Sequence, residues 1–138
     1  MTPELNTANR VMIVDDHPAM RQALRALLEV DGNFDVVGAA DGVSGALKLA
    51  AEQKPDIAIV DISLKASPTG LGITTKLKFR YPSLKVLLLS LNSPADFSRL
   101  AQDAGADGYL SKSDAAERLV EALLSVGGGY HYGFQGAS

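Results

Sequence analysis

Short runs of Val, Ile and Leu alternate along the chain with longer segments in which apolar residues recur at every third or fourth position. The runs suit buried strands and the longer segments suit amphipathic helices, so the chain reads as repeated strand–helix units around a parallel sheet. Strands are expected at about residues 11–15, 35–38, 57–61, 85–90 and 108–112. Three of these are almost wholly apolar, as suits central strands covered on both faces. The first helix should begin at Pro18, a residue favoured in a first turn, with Asp16 or His17 as its cap. Met20, Leu24, Leu27 and Leu28 mark its buried stripe, and Asp31-Gly32 stops it. A second helix is expected over 43–53, ending before Lys54-Pro55 because a residue preceding proline leaves the helical region. A third is expected over 71–81, a fourth from Pro94 to Gly105, and a fifth over 114–126 with Gly127 as terminator.

These units predict one α/β domain with a flavodoxin-like, doubly wound five-stranded parallel sheet in the order 2-1-3-4-5 and five helices. The domain should occupy residues 10–127, after an extension over 1–9. Regular structure is expected to end after Gly127. Residues 128–138 combine glycines with three aromatics and no charged residue, so they read as a linker or tail without an assigned role.

A chain of 138 residues is one ordinary domain long, and 46% hydrophobic with 21% charged residues is the balance of a globular fold. Thirteen Lys and Arg against sixteen Asp and Glu leave a formal charge of −3, which offers no global positive field to hold nucleic acid. With no cysteine there is no disulfide framework, thiolate nucleophile or Cys-ligated zinc, and His17 and His131 are the sole imidazoles. No apolar run is long enough to span a bilayer, and the first residues lack the basic start and apolar core of a signal peptide, so a cytoplasmic protein without membrane attachment is expected. Residues 62–95 hold Lys65, Lys76, Lys78, Arg80 and Lys85 and no acidic residue, a run that reads as a solvated helix face.

Polar residues collect where the strands should end: Asp15 and Asp16 after the first, then Asp61, Ser90 and Lys112 closing the third, fourth and fifth. In an open parallel sheet of this order the winding reverses between strands one and three, and ligands bind outside the carboxyl ends there, so Asp15, Asp16 and Asp61 should converge. Three carboxylates in one pocket repel one another unless a cation joins them. Magnesium suits such a place, taking two carboxylates, one backbone carbonyl and water or phosphate oxygens in octahedral geometry. One magnesium and Lys112 together cancel the three negative charges. A carboxylate so placed can attack phosphorus to form an aspartyl phosphate, while the metal and a lysine neutralise the transferring group and a hydroxyl binds one of its oxygens. On this reading Asp61 is the nucleophile, and Ser90 and Lys112 hold phosphoryl oxygens.

The stretches VMIVDDHPAMRQALRALLEVDGNFDVVG, IAIVDISL, VLLLSLNS and AGADGYLSKS resemble the receiver domain of two-component response regulators over residues 10–127. DDHPAMRQALRALLE is most similar to the NarL/FixJ-type branch, whose members usually carry a LuxR-type helix-turn-helix output domain; none is expected within these 138 residues. The resemblance implies the CheY-like form of the fold and a phosphoryl group accepted on Asp61 from a sensor histidine kinase. It implies that Asp16 and Asp61 bind Mg2+ directly, Asp15 through water and Ser63 through its backbone carbonyl. Lys112 would contact the phosphate, Ser90 would be the switch hydroxyl, and Tyr109 would turn inward when Ser90 moves toward the phosphoryl group. The implied activity is a conformational switch rather than a turnover enzyme, with self-phosphorylation and slow autodephosphorylation through Asp61 and Lys112 as its chemistry. It would act on an output domain or protein target, with transcription as the expected outcome and homodimerisation on activation as a further implied partnership. Receivers commonly carry proline four residues after the phosphoacceptor and glycine four later, whereas here Lys65 takes the first place, Pro68 is displaced and Gly70 lies nine residues on. Ser113 follows Lys112 where many receivers have proline.

Plainer readings stand beside these. Asp15 and Asp16 also suit a helix cap, and Ser90 or Lys112 taken singly suits solvated surface. Tyr109 suits ordinary packing, and His17 a solvated or capping histidine. Two rival functions are a receiver fold that signals without phosphate and a magnesium-dependent phosphohydrolase. The latter wants a second acid two residues after its nucleophile, where this chain has Ser63.

Overall fold

Side chains alternate across a parallel five-stranded sheet, so each apolar strand feeds two cores at once. The structure, a computed structural model, describes residues 9–64, 69–91 and 95–134. In chain order the elements are β1 (Asn9–Val14), α1 (Pro18–Asp31), β2 (Phe34–Ala40), α2 (Val43–Gln53), β3 (Ile57–Asp61), α3 (Gly70–Arg80), β4 (Lys85–Ser90), α4 (Ala95–Asp103), β5 (Gly108–Ser111) and α5 (Ala115–Gly127). A single 3-10 turn, Lys112–Asp114, joins the last two. The strand order is β2-β1-β3-β4-β5, all parallel, as the alternation of elements implied.

Met12, Val14, Ala58, Val60, Val86 and Leu88 share one core with Ala46 and Ala50 of α2, Ile73 and Leu77 of α3 and Ala101 of α4. Val11, Ile13, Ile57, Ile59, Leu87 and Leu89 share the other with Leu24 and Leu28 of α1 and Leu119 and Leu123 of α5. Fully burying each large aliphatic side chain contributes about 1.5–3 kcal/mol, so the two cores together hold the strand register against slippage.

The differences from the expected boundaries have local causes. β1 stops at Val14, which leaves Asp15 to open the following loop. β2 is longer than its sequence signature: Ala39 and Ala40 have little strand preference of their own, and pairing with Ile13 and Val14 recruits them. A register shift between Val11 and Met12 leaves Val37 as the extra residue of a bulge. His17 is the N-cap of α1 by position, but its side chain makes no cap hydrogen bond, which corrects the capping role expected of it. Gly32 ends α1 in the left-handed conformation at φ 83°, as a glycine stop does. Pro94, the expected start of the fourth helix, lies outside the described residues, as do Lys65 and Pro68.

Two expectations are corrected in part. The basic run is not simply a solvated face. Lys76 and Arg80 are exposed, but the Lys78 ammonium donates to the Leu84 carbonyl at 2.8 Å and to Asp107 Oδ2 at 2.9 Å. Asp107 Oδ2 also accepts the Val86 N–H at 2.9 Å, so one carboxylate ties α3 to the starts of β4 and β5. Regular elements do end at Gly127, but residues 130–134 stay on the domain rather than leaving it as a linker. Tyr132 forms a parallel bridge with Gly108, and Phe134 packs against the core shared by α2, α3 and α4.

Among the described residues no helix is long and apolar enough to cross a membrane. Removing Lys78 would strand a largely buried carboxylate, which costs about 3 kcal/mol when its partner is lost. Lys78→Ala is therefore expected to lower unfolding stability by about that amount in urea denaturation, while Lys76→Ala leaves it nearly unchanged.

Candidate functional site

The winding reversal between β1 and β3 brings the loops that follow these two strands side by side, and the acidic residues ride on them. Asp15 and Asp61 are each 1% exposed, whereas Asp16 is half-buried. Asp61 is the last residue of β3, and its backbone partner across the sheet is Leu89 of β4. Asp61 Oδ1 accepts the Ser63 N–H at 3.0 Å and the Ser63 hydroxyl at 2.9 Å, a local turn that fixes the carboxylate plane.

Lys112 joins the loops. Its ammonium stands 3.1 Å from Asp15 Oδ2 and 3.3 Å from Asp61 Oδ2, and its side chain is 8% exposed. The placement has a simple cause: β5 ends at Ser111, whose hydroxyl accepts the Ser113 N–H at 3.2 Å and caps the 3-10 turn that Lys112 begins. Ser90 is buried at the carboxyl end of β4, paired with Ser111. Tyr109 is buried on β5 and paired with Leu88, so it lies on the same strand pair as Ser90. The structure thus gathers Asp15, Asp16, Asp61, Ser63, Ser90 and Lys112 at the carboxyl edge of the sheet, with Tyr109 two residues back along β5 from Ser111.

Carboxylate oxygens of Asp15, Asp16 and Asp61 and a ring nitrogen of His17 all lie within 4.8 Å of one another. Asp15 Oδ2 and Asp61 Oδ2 are buried without a hydrogen-bond donor and have the Lys112 ammonium as their ion-pair partner. Three carboxylates against one ammonium leave two negative charges in excess, and at the buried Asp15 and Asp61 bulk water screens them poorly. An oxygen-rich donor set with that excess fits one hard divalent cation.

Three contributors were not legible in the sequence. His17 Nδ1 sits 3.2 Å from Asp15 Oδ1 and 3.0 Å from Asp16 Oδ1, and the His17 backbone N–H donates to Asp15 Oδ1 at 2.9 Å. Its adjacency to the acidic pair was the available signal. Arg21 donates from Nη1 to the Asp15 carbonyl at 2.6 Å, so the first helix pins the backbone beneath the carboxylate, and no sequence pattern announces this. Gly70 opens α3 against the back of Asp61. A Cβ there would overlap the Asp61 carbonyl oxygen and lie 2.7 Å from Ile62 Cα. Its distance of nine residues along the chain hid this contact, which is made by the fold rather than by spacing.

A cavity of about 480 Å³ between Lys54, Asp56, Tyr81 and Lys85 lies near the amino ends of β3 and β4 and contains none of these groups.

Residues 11–124 match the response regulator receiver domain family. A Pseudomonas aeruginosa protein classed among transcriptional regulators is 42% identical over 122 residues, covering 88% of this chain and 58% of its own. A crystal structure of a LuxR-family two-component response regulator from Aurantimonas sp. SI85-9A1 superposes with a TM-score of 0.87 at 30% identity, covering 94% of this chain and 91% of that one. The signal receiver domain of NarL from Mycobacterium tuberculosis superposes with a TM-score of 0.82 at 30% identity, covering 88% and 98%. The chain spans little more than half the length of the curated relatives it matches.

Lys112→Ala would leave Asp15 and Asp61 buried without their shared counter-charge. In divalent-free buffer it is expected to lower stability by about 3 kcal/mol, with magnesium chloride recovering part of the loss in the same urea titration. Gly70→Ala forces α3 away from Asp61 and is expected to cost about 1–3 kcal/mol by the same measurement.

Proposed function

The chain belongs to the response regulator receiver domain family, and from that premise we propose that it is a phosphorylation-controlled switch with Asp61 as its phosphoacceptor. The observation that carries the reading is the joint burial of Asp15 and Asp61 around the single ammonium of Lys112. An ordinary helix cap has no use for that arrangement, whereas transfer of an anionic group to a carboxylate requires it.

Asp61 supplies the attacking carboxylate oxygen, and Ser63 orients it by holding Oδ1 from two donors. Asp16 and Asp61, with Asp15 through water and the Ser63 carbonyl, would hold Mg2+, which when bound supplies charge neutralisation to the transferring phosphoryl group. Lys112 already lies against Asp61 and can pass part of its charge to a phosphoryl oxygen without leaving Asp15. Ser90, at the end of the adjacent strand, donates its hydroxyl to another oxygen. Gly70 and Arg21 keep the Asp61 and Asp15 backbones from yielding as the charge grows.

Addition of the phosphoryl group places more negative charge and new acceptor oxygens at Asp61, and the pull on Ser90 and Lys112 biases Tyr109 between two packings. A sensor histidine kinase is the donor in this reading. The readout is an output domain or protein target, with transcription as the regulated process and homodimerisation as a route to it. The setting is the cytoplasm, and the chemistry goes no further than self-phosphorylation and slow loss of the phosphoryl group.

The test is intact mass after incubation with acetyl phosphate and magnesium. The wild type is expected to gain about 80 Da as an acid- and base-labile adduct, and Asp61→Asn to gain nothing. An unmodified wild type would overturn the phosphoacceptor role and leave an interaction domain that signals without phosphate.

A further inference from the structure

The segment that follows α5 is built onto the sheet. The Tyr132 N–H donates to the Asp107 carbonyl at 3.1 Å, and the Tyr132 carbonyl accepts the Tyr109 N–H at 2.9 Å. These are the two bonds of a parallel ladder, made on the edge of β5 that no other strand covers. The side chains either side of that bridge go to opposite faces. Tyr132 packs with the core shared by α1 and α5, and its hydroxyl donates to Glu121 Oε2 at 2.9 Å. Burial, followed by the bond to Glu121, raises the phenol's pKa. Phe134 packs with the other core, the one that contains Tyr109 and Leu88. His131 meets the Phe134 ring edge-on at a centroid distance of 5.5 Å.

Gly133 makes the crossing between the two faces. It takes φ 80°, and a Cβ there would overlap the Tyr109 carbonyl oxygen. The Tyr109 backbone is therefore held by its N–H to Tyr132 and pressed at its carbonyl by Gly133, while its ring shares a core with Phe134.

We infer that residues 130–134 form a strap whose seating on β5 is coupled to the packing of Tyr109, so that the acidic site controls how the chain leaves the domain. The inference rests on the switch reading above for its trigger. The physical link is the strand pair β4–β5: Ser90 faces Ser111 in the ladder, and Leu88 faces Tyr109 two residues before it. Two packings of the Tyr109 ring cannot leave the core it shares with Leu88 and Phe134 unmoved, because interiors are close-packed. Coupling of this kind is reciprocal: if seating and a ligand at the acidic site both favour buried Tyr109, the ligand tightens the strap by the same factor by which seating tightens the ligand.

The experiment uses the full 138-residue chain with residue-resolved amide hydrogen exchange and 19F NMR of 3-fluorotyrosine. The first arm needs no ligand. Gly133→Val cannot seat, and it is expected to speed exchange of the Tyr109 and Tyr132 amides by about tenfold or more and to raise the solvent exposure of the Tyr109 ring. Phe134→Ala, which leaves the backbone free to pair, should raise the ring's exposure to a lesser degree. An unseated strap with an unchanged Tyr109 ring in both variants would overturn the coupling.

The second arm adds magnesium and beryllofluoride, with binding read independently from the 19F signal of the bound anion. Exchange of the Tyr132 amide is expected to slow about fivefold or more, and Gly133→Val to weaken beryllofluoride binding by a similar factor. Bound beryllofluoride with unaltered Tyr132 exchange would overturn the inference. Absence of beryllofluoride binding would instead overturn the phosphoacceptor reading and remove the trigger, with the strap's coupling to Tyr109 then decided by the first arm.

Discussion

One buried ammonium holds two buried carboxylates apart and together. Lys112 lies within 3.3 Å of both Asp15 and Asp61, and no other cation among the described residues forms an ion pair with Asp61. Each strand that contributes to this contact has to end at the right height. β1 must stop before Asp15, β3 must carry Asp61 as its last residue, and β5 must turn at Ser111 so that Lys112 points back over the sheet. The strand register serves this alignment, and the two cores secure the register through side chains that have almost no solvent exposure.

The same arrangement explains why the site stores charge. Lys112 leaves two of the three negative charges at the site uncancelled, and the burial of Asp15 and Asp61 limits the solvent that would screen them. Such a site is stable only because the surrounding fold over-determines it: Arg21 holds the Asp15 carbonyl, Ser63 holds the Asp61 carboxylate, and Gly70 closes against the Asp61 backbone. A divalent cation or a transferred anionic group would enter a frame already shaped for it, which is the economy of preorganised electrostatics.

Much of this frame could be read along the chain. Continuous apolar runs and helical stripes located each of the five strands and five helices within a few residues, and the placing of acids, a serine and a lysine at successive strand ends located the site. The readings that failed share a cause. Lys78 looked like one more surface lysine because Asp107, its partner, is 29 positions away. The residues after Gly127 looked like a linker because glycines and isolated aromatics carry no strand period, whereas the open edge of β5 supplies the hydrogen bonds that order them. Gly70 looked displaced because its place was counted in residues from Asp61, and a longer loop can still return a glycine against the Asp61 carbonyl.

Local periodicity is a property of neighbouring residues, and for that reason the sequence alone determined the element types, the parallel sheet and the family to which the chain belongs. The sequence alone also determined which residues carry charge at the strand ends. Tertiary structure decided which of those charges touch, because a distance such as that from Lys112 to Asp61 depends on how three loops converge after the sheet has closed. It also decided that Tyr132 and Phe134 belong to the domain, since burial at a sheet edge is settled by what the other strands leave uncovered.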